Sequence, residues 1–77
     1  MESLTIAAAF GSVLRDCRRK AGISQEALAD AASVDRTYVS LLERGLRQPT
    51  LETLFSFARA LEISPATMVS RTAALAS

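Results

Sequence analysis

Apolar residues recur at helical spacing in five separate stretches of the chain, and no segment alternates apolar and polar residues as a half-buried strand would. The first stretch predicts a helix from about Thr5 to Ala21, with Phe10, Val13, Leu14, Cys17 and Ala21 on one face. Gly22 lies just past its end, where a left-handed cap suits glycine, and Arg18, Arg19 and Lys20 complement the dipole of its last turn. Ser24 is a good N-cap for a second helix, Gln25 to Ala32, whose apolar face is Leu28, Ala29 and Ala32. After a turn at Ser33 and Val34, Asp35 caps a third helix that Gly45 stops, with Val39 and Leu42 inward.

The segment from Leu46 to Pro49 reads as a loop. Thr50 then caps a fourth helix to Leu61, lined by Leu51, Leu54, Phe57, Ala58 and Leu61. Ser64 followed by Pro65 opens a fifth helix expected to end near Arg71, leaving 72–77 as a frayed tail. The expected architecture is one all-α domain of five helices over residues 1–77, because 77 residues do not make two cores.

Composition narrows the chemistry. A chain this short has a marginal core and commonly needs a disulfide, a metal or a second subunit. Cys17 is the single cysteine and histidine is absent, so an internal disulfide is excluded and neither a zinc site nor a cofactor is expected. Lack of histidine also removes the commonest general base. Asp16, Asp30, Cys17, Ser40 and Tyr38 form no catalytic constellation by spacing, so an enzyme is not expected, and Cys17 on an apolar face reads as an inert buried thiol.

No apolar run approaches the ~20 residues that span a bilayer. The N-terminal stretch starts with Glu2 and lacks a basic lead, which makes a poor export signal. With an unpaired thiol, this points to a reducing cytoplasm. Nine cationic and eight anionic side chains nearly balance, but 15–47 holds seven of the nine cations: Arg15, Arg18, Arg19, Lys20, Arg36, Arg44 and Arg47. That bias is modest and fits either a solvated surface or a binding face.

The two central helices carry the most specific signal. Counted from Gln25, Leu28, Ala32, Val39 and Leu42 would suit any helical hairpin. Small Ala29 at the fifth position and Val34 at the tenth, with a three-residue turn, complete the pattern of a helix-turn-helix. The stretch GISQEALADAASVDRTYVSLLERGLRQPTLETLFSFARAL resembles the Cro/CI-type (XRE) helix-turn-helix domain of phage repressors and bacterial regulators. Ser24-Gln25-Glu26, Leu28-Ala29 and Leu42-Glu43-Arg44-Gly45 are its most characteristic pieces. Within that family, VDRTYVSLLERGLRQPTLETL is similar to controller proteins of restriction-modification systems, which are stand-alone dimeric regulators. One departure is Ser33, where the family usually has glycine in a left-handed turn, at a cost of about 1 kcal/mol.

The resemblance implies a sequence-specific, homodimeric regulator that binds double-stranded DNA, with no membrane and no small-molecule ligand. Arg36, Thr37 and Ser40, and Leu41 less centrally, occupy outward positions of the recognition helix, and Arg36 suits guanine O6 and N7. Thr37 suits a phosphate or a thymine methyl. Gln25, Arg44, Arg47, Arg15 and Lys20 would meet the backbone, and Tyr38 either meets it or packs against the first helix. Asp35 is a cap, or else a partner for cytosine or Arg36. Arg18 and Glu43 are expected to form a structural ion pair between helices. Phe55, off the inward stripe, with Met68 and Val69, is the expected dimer surface. An antitoxin or a protein-binding module of the same fold is the alternative.

Overall fold

In the computed structural model, residues 4–77 are described, and the reading of Glu2 lies outside them. Five helices follow one another: α1 (Ile6–Lys20), α2 (Gln25–Ala32), α3 (Arg36–Glu43), α4 (Leu51–Leu61) and α5 (Pro65–Ala76). No strand occurs among the described residues, and no helix there is long and apolar enough to cross a membrane.

Every helix starts on a side chain that satisfies an otherwise orphaned amide. Thr5 Oγ1 accepts from Ala8 N at 3.1 Å, Ser24 Oγ from Ala27 N at 3.0 Å and Asp35 Oδ1 from Thr37 N at 3.4 Å. Thr50 Oγ1 accepts from Thr53 N at 3.1 Å and Ser64 Oγ from Ala66 N at 3.2 Å. Each such cap stabilises its helix by about 1 kcal/mol. Ser33 takes the left-handed conformation expected of it, φ 59° and ψ 42°. Glu62 does the same after α4, at φ 55°, where the amide of Ile63 returns to Ala58 O at 2.9 Å.

The core gathers Phe10, Val13, Leu14 and Cys17 from α1 with Leu28, Ala29 and Ala32 from α2, and Val39 and Leu42 from α3. Leu54, Phe57 and Ala58 from α4 and Met68 from α5 close it. α2 and α3 pack on each other, α2 on α4, and α1 on both α3 and α5.

Four expectations change. α5 does not end near Arg71 with a frayed tail, but continues to Ala76. The sequence TAALA contains no breaker, and Thr72 is buried with its hydroxyl donating to Met68 O at 2.8 Å, which anchors the last turns. Met68 is wholly buried, so it fills the core and is not part of an exposed patch. It lies four residues from Thr72 on the inward stripe, which leaves Val69 turned outward. Leu51 is 74% exposed and Ala21, at the cap of α1, is exposed. Both sit in or beside a terminal turn, where the stripe overruns the surface it packs on.

One stripe of α1 sets the position of α3. Ala8, Gly11, Arg15 and Arg18 fall at spacings of three, four and three, hence on one helical face. A Cβ at Gly11 would overlap the carbonyl oxygen of Leu42 and lie 2.8 Å from that of Glu43. Gly45, with φ +74°, stands so close that a Cβ there would be 3.0 Å from Ala8 Cα. The end of α3 is therefore seated directly on the backbone of α1.

Candidate nucleic-acid interface

The reversal between α2 and α3 takes three residues, Ser33, Val34 and Asp35. Left-handed Ser33 turns the chain sharply, Val34 packs against the core, and Asp35 starts the next helix. The first turns of α2 and α3 consequently open onto a shared hollow of about 480 Å³, lined by Arg18, Ser24, Gln25, Glu26 and Arg36. Unpaired amides at helix N-termini and a guanidinium beside them suit an anion.

On α3, Arg36 and Thr37 are exposed and Ser40 and Leu41 half-buried, while Val39 and Leu42 are hidden. Among the described residues, no ion pair involves Arg36. It is therefore available to a ligand. Tyr38 is half-buried: its ring packs against the core cluster, its hydroxyl donates to Gln48 O at 3.5 Å, and the Arg47 guanidinium lies 5.9 Å from its centroid. Tyr38 thus ties the 45–49 loop to α3. Arg44 folds back, its Nε donating to Ser40 O at 3.4 Å.

Glu43 is the electrostatic centre beneath this surface. Arg18 grips it with two hydrogen bonds, Nε to Oε2 at 2.6 Å and Nη2 to Oε1 at 3.0 Å. Gln25 Nε2 donates to Oε1 at 3.1 Å, and Arg15 Nε lies 3.5 Å from the same oxygen. Burial by itself would raise the carboxyl's pKa, but the hydrogen bonds from Arg18 and Gln25 and the charges of Arg18 and Arg15 outweigh it and hold the group below its ordinary value. Arg18 Nη1 also donates to Ile23 O at 3.0 Å, so one side chain binds α1 to α3 and to the turn before α2.

The Arg18–Glu43 contact expected from resemblance is present. Sequence reasoning missed its extension to Gln25 and Arg15, although the α1 stripe through Gly11, Arg15 and Arg18 pointed at the end of α3. Lys20 is set apart from this group: it pairs with Asp16 at 3.2 Å, which also accepts from Arg71 of α5 at 2.5 Å. Those two bonds, Arg71's first, hold the Asp16 carboxyl below its usual value. Phe55 and Val69 are 52% and 50% exposed. With Leu51, Leu54, Pro65, Ala66 and Ser70 they line a largely apolar groove of about 410 Å³ between α4 and α5.

Two helices crossing through a three-residue turn, with an exposed polar face on the second, define a helix-turn-helix domain. Residues 14–68 match the Helix-turn-helix (HTH_3) family, and the chain belongs to that family. It is 41% identical over 54 residues to an uncharacterized HTH-type transcriptional regulator of Mycobacterium tuberculosis, MT0491. That match covers 70% of this chain but 39% of the relative, so the chain spans about two fifths of the relative's length. Among solved structures, it is similar to the restriction-modification controller protein C.AhdI from Aeromonas hydrophila, with 40% identity, a TM-score of 0.78, and coverage of 80% of this chain and 94% of the other. A second controller, the C.Esp1396I tetramer solved in complex with its natural 35 base-pair operator, is 29% identical with a TM-score of 0.79, covering 90% of this chain and 91% of that one.

Proposed function

We propose that this protein is a sequence-specific transcriptional regulator that binds double-stranded DNA as a homodimer on a pseudo-palindromic operator. Residues 36–42 of α3 enter the major groove. The observation that carries this reading is the pair of exposed side chains on the first turn of α3, Arg36 and Thr37, with Arg36 lining the same hollow as Gln25 on the first turn of α2. The relationship to C.Esp1396I, solved with its operator, supports it.

In this reading Arg36, Thr37 and Ser40 read base edges, and Gln25, Tyr38, Arg44, Arg47, Arg15 and Lys20 meet phosphates. Control then comes through protein concentration. Phe55 and Val69 supply the apolar contact between copies, which sets two recognition helices one helical turn apart on the duplex.

Selection from a random duplex pool tests this directly. An enriched inverted repeat is expected, and recovery of no sequence would sink the reading. Arg36→Ala should then weaken binding to the selected site by about 1–3 kcal/mol and relax preference at one base pair per half-site. Unchanged affinity and preference would remove Arg36 from base reading. Phe55→Asp should shift sedimentation at micromolar protein from dimer to monomer and weaken operator binding, because a buried unpaired carboxylate is costly at an apolar interface. An unaltered sedimentation profile would move the interface away from the α4–α5 groove.

A further inference from the structure

The Glu43 side chain is fully buried and cannot touch DNA, yet every side chain that grips it is partly exposed: Gln25, Arg18 and Arg15 are half-buried, and the Arg15 side chain is 42% exposed. Gln25 Nε2 carries two hydrogens, and one is committed to Glu43 Oε1 at 3.1 Å. The second remains for an acceptor outside. If the amide were flipped, its carbonyl oxygen would face the carboxylate, and the two acceptors would repel. Glu43 therefore fixes which end of the Gln25 amide is presented. Arg15 is held by charge and not by a hydrogen bond, its Nε 3.5 Å from the same Oε1, which leaves its guanidinium nitrogens free to donate elsewhere.

A carboxylate beneath a phosphate-binding surface would ordinarily repel the ligand. Here the bidentate contact with Arg18 cancels its charge locally, so its directional hydrogen-bond acceptance remains without a net anionic field. We infer that Glu43 is a positioning residue for DNA binding, holding Gln25 donor-outward and Arg15 turned to the same side, so that the two form a preset clamp for backbone phosphate. This rests on the proposed reading that Gln25 and Arg15 meet phosphate. The clamp carries no sequence information, so its loss should weaken cognate and unrelated duplexes alike.

The test is a double-mutant cycle on the full chain. Gln25→Met, Glu43→Gln and the double variant are titrated against the selected duplex and an unrelated duplex of equal length, with folding followed by circular dichroism. Gln25→Met and Glu43→Gln should each lose about tenfold in affinity for both duplexes, and the double variant should lose little more than either alone. A folded Glu43→Gln variant that binds as the wild type does, or losses that simply multiply, would overturn the assignment. Should Glu43→Gln fail to fold, ¹⁵N relaxation of the Gln25 side-chain amide in the free wild-type protein decides. An amide as ordered as the α2 backbone supports positioning, and a freely mobile one refutes it. That measurement needs no DNA, so it stands apart from the random-pool selection on which the proposed function depends.

Discussion

Gly11→Ala is expected to destabilise the protein by about 3 kcal/mol, against the sign that helix propensity alone would give. In an exposed helix interior, glycine to alanine stabilises by roughly 1 kcal/mol. Here the added methyl meets main chain: it would overlap the carbonyl oxygen of Leu42 and come within 2.8 Å of that of Glu43. A side chain could rotate away, but a carbonyl at the end of a helix moves only with the helix. α3 would have to lift from α1, loosening the Arg18 grip on Glu43 and the contacts of Val39 and Leu42 together. Overpacking of this kind costs about 1–3 kcal/mol where neighbours can yield, and more where they cannot. Domains of this size hold roughly 4–12 kcal/mol in total, so the loss is large. Urea denaturation followed by circular dichroism measures it, and a variant as stable as the wild type would mean that α3 is not seated on Gly11.

Much of the fold was legible because its signals are local. Ser24, Asp35, Thr50 and the Ser64-Pro65 pair mark helix starts through a bond that each side chain makes within its own first turn. Helix α2 runs over the residues its pattern predicts, and Ser33 adopts the conformation its position demands. Signals that depend on a distant partner were harder to read. α5 reaches Ala76 because it lies along α1, and nothing within TAALA announces that support. Met68 and Val69 are adjacent and both apolar, and only the docking of α5 decides which one is buried. Leu51 fits the inward stripe of α4 by spacing, yet the first turn projects past the core, and its exposure enlarges the apolar surface around Phe55.

The candidate site divides along the same line. Exposure of Arg36 and Thr37 follows from helix geometry once Val39 and Leu42 are inward. The Arg18–Glu43 contact came from family resemblance, since twenty-five residues separate the partners. Its further reach to Gln25 and Arg15 required three helices in place. Gly11 was passed over because a glycine inside a helix pattern reads as a weak position, whereas its role is to let another backbone approach.

Arg18→Met should cost about 3 kcal/mol at neutral pH, and the deficit should shrink as the solution is acidified. The Arg18 side chain is 12% exposed and that of Glu43 not at all, so the pair is shielded from water. Removing one partner of a buried pair typically costs about 3–5 kcal/mol, because a charge is left behind. Gln25 and Arg15 still face Glu43, which places the expected loss at the lower end. In the wild type the folded-state pKa of Glu43 lies below its ordinary value of 4.5. Its stabilising contribution is thus complete above that value and is lost as pH falls through the folded-state pKa. Without Arg18 the balance reverses: burial dominates, the folded-state pKa rises above the ordinary value, and protonation relieves the stranded charge. The gap between variant and wild type is therefore widest near pH 7 and narrows towards pH 4, as urea denaturation at both values would record. A deficit independent of pH would assign the loss to packing of the arginine stem. Replacing both partners, Arg18→Met with Glu43→Leu, should recover most of the stability while leaving Gln25 without its anchor, so the double variant separates what the pair does for the fold from what Glu43 does for DNA.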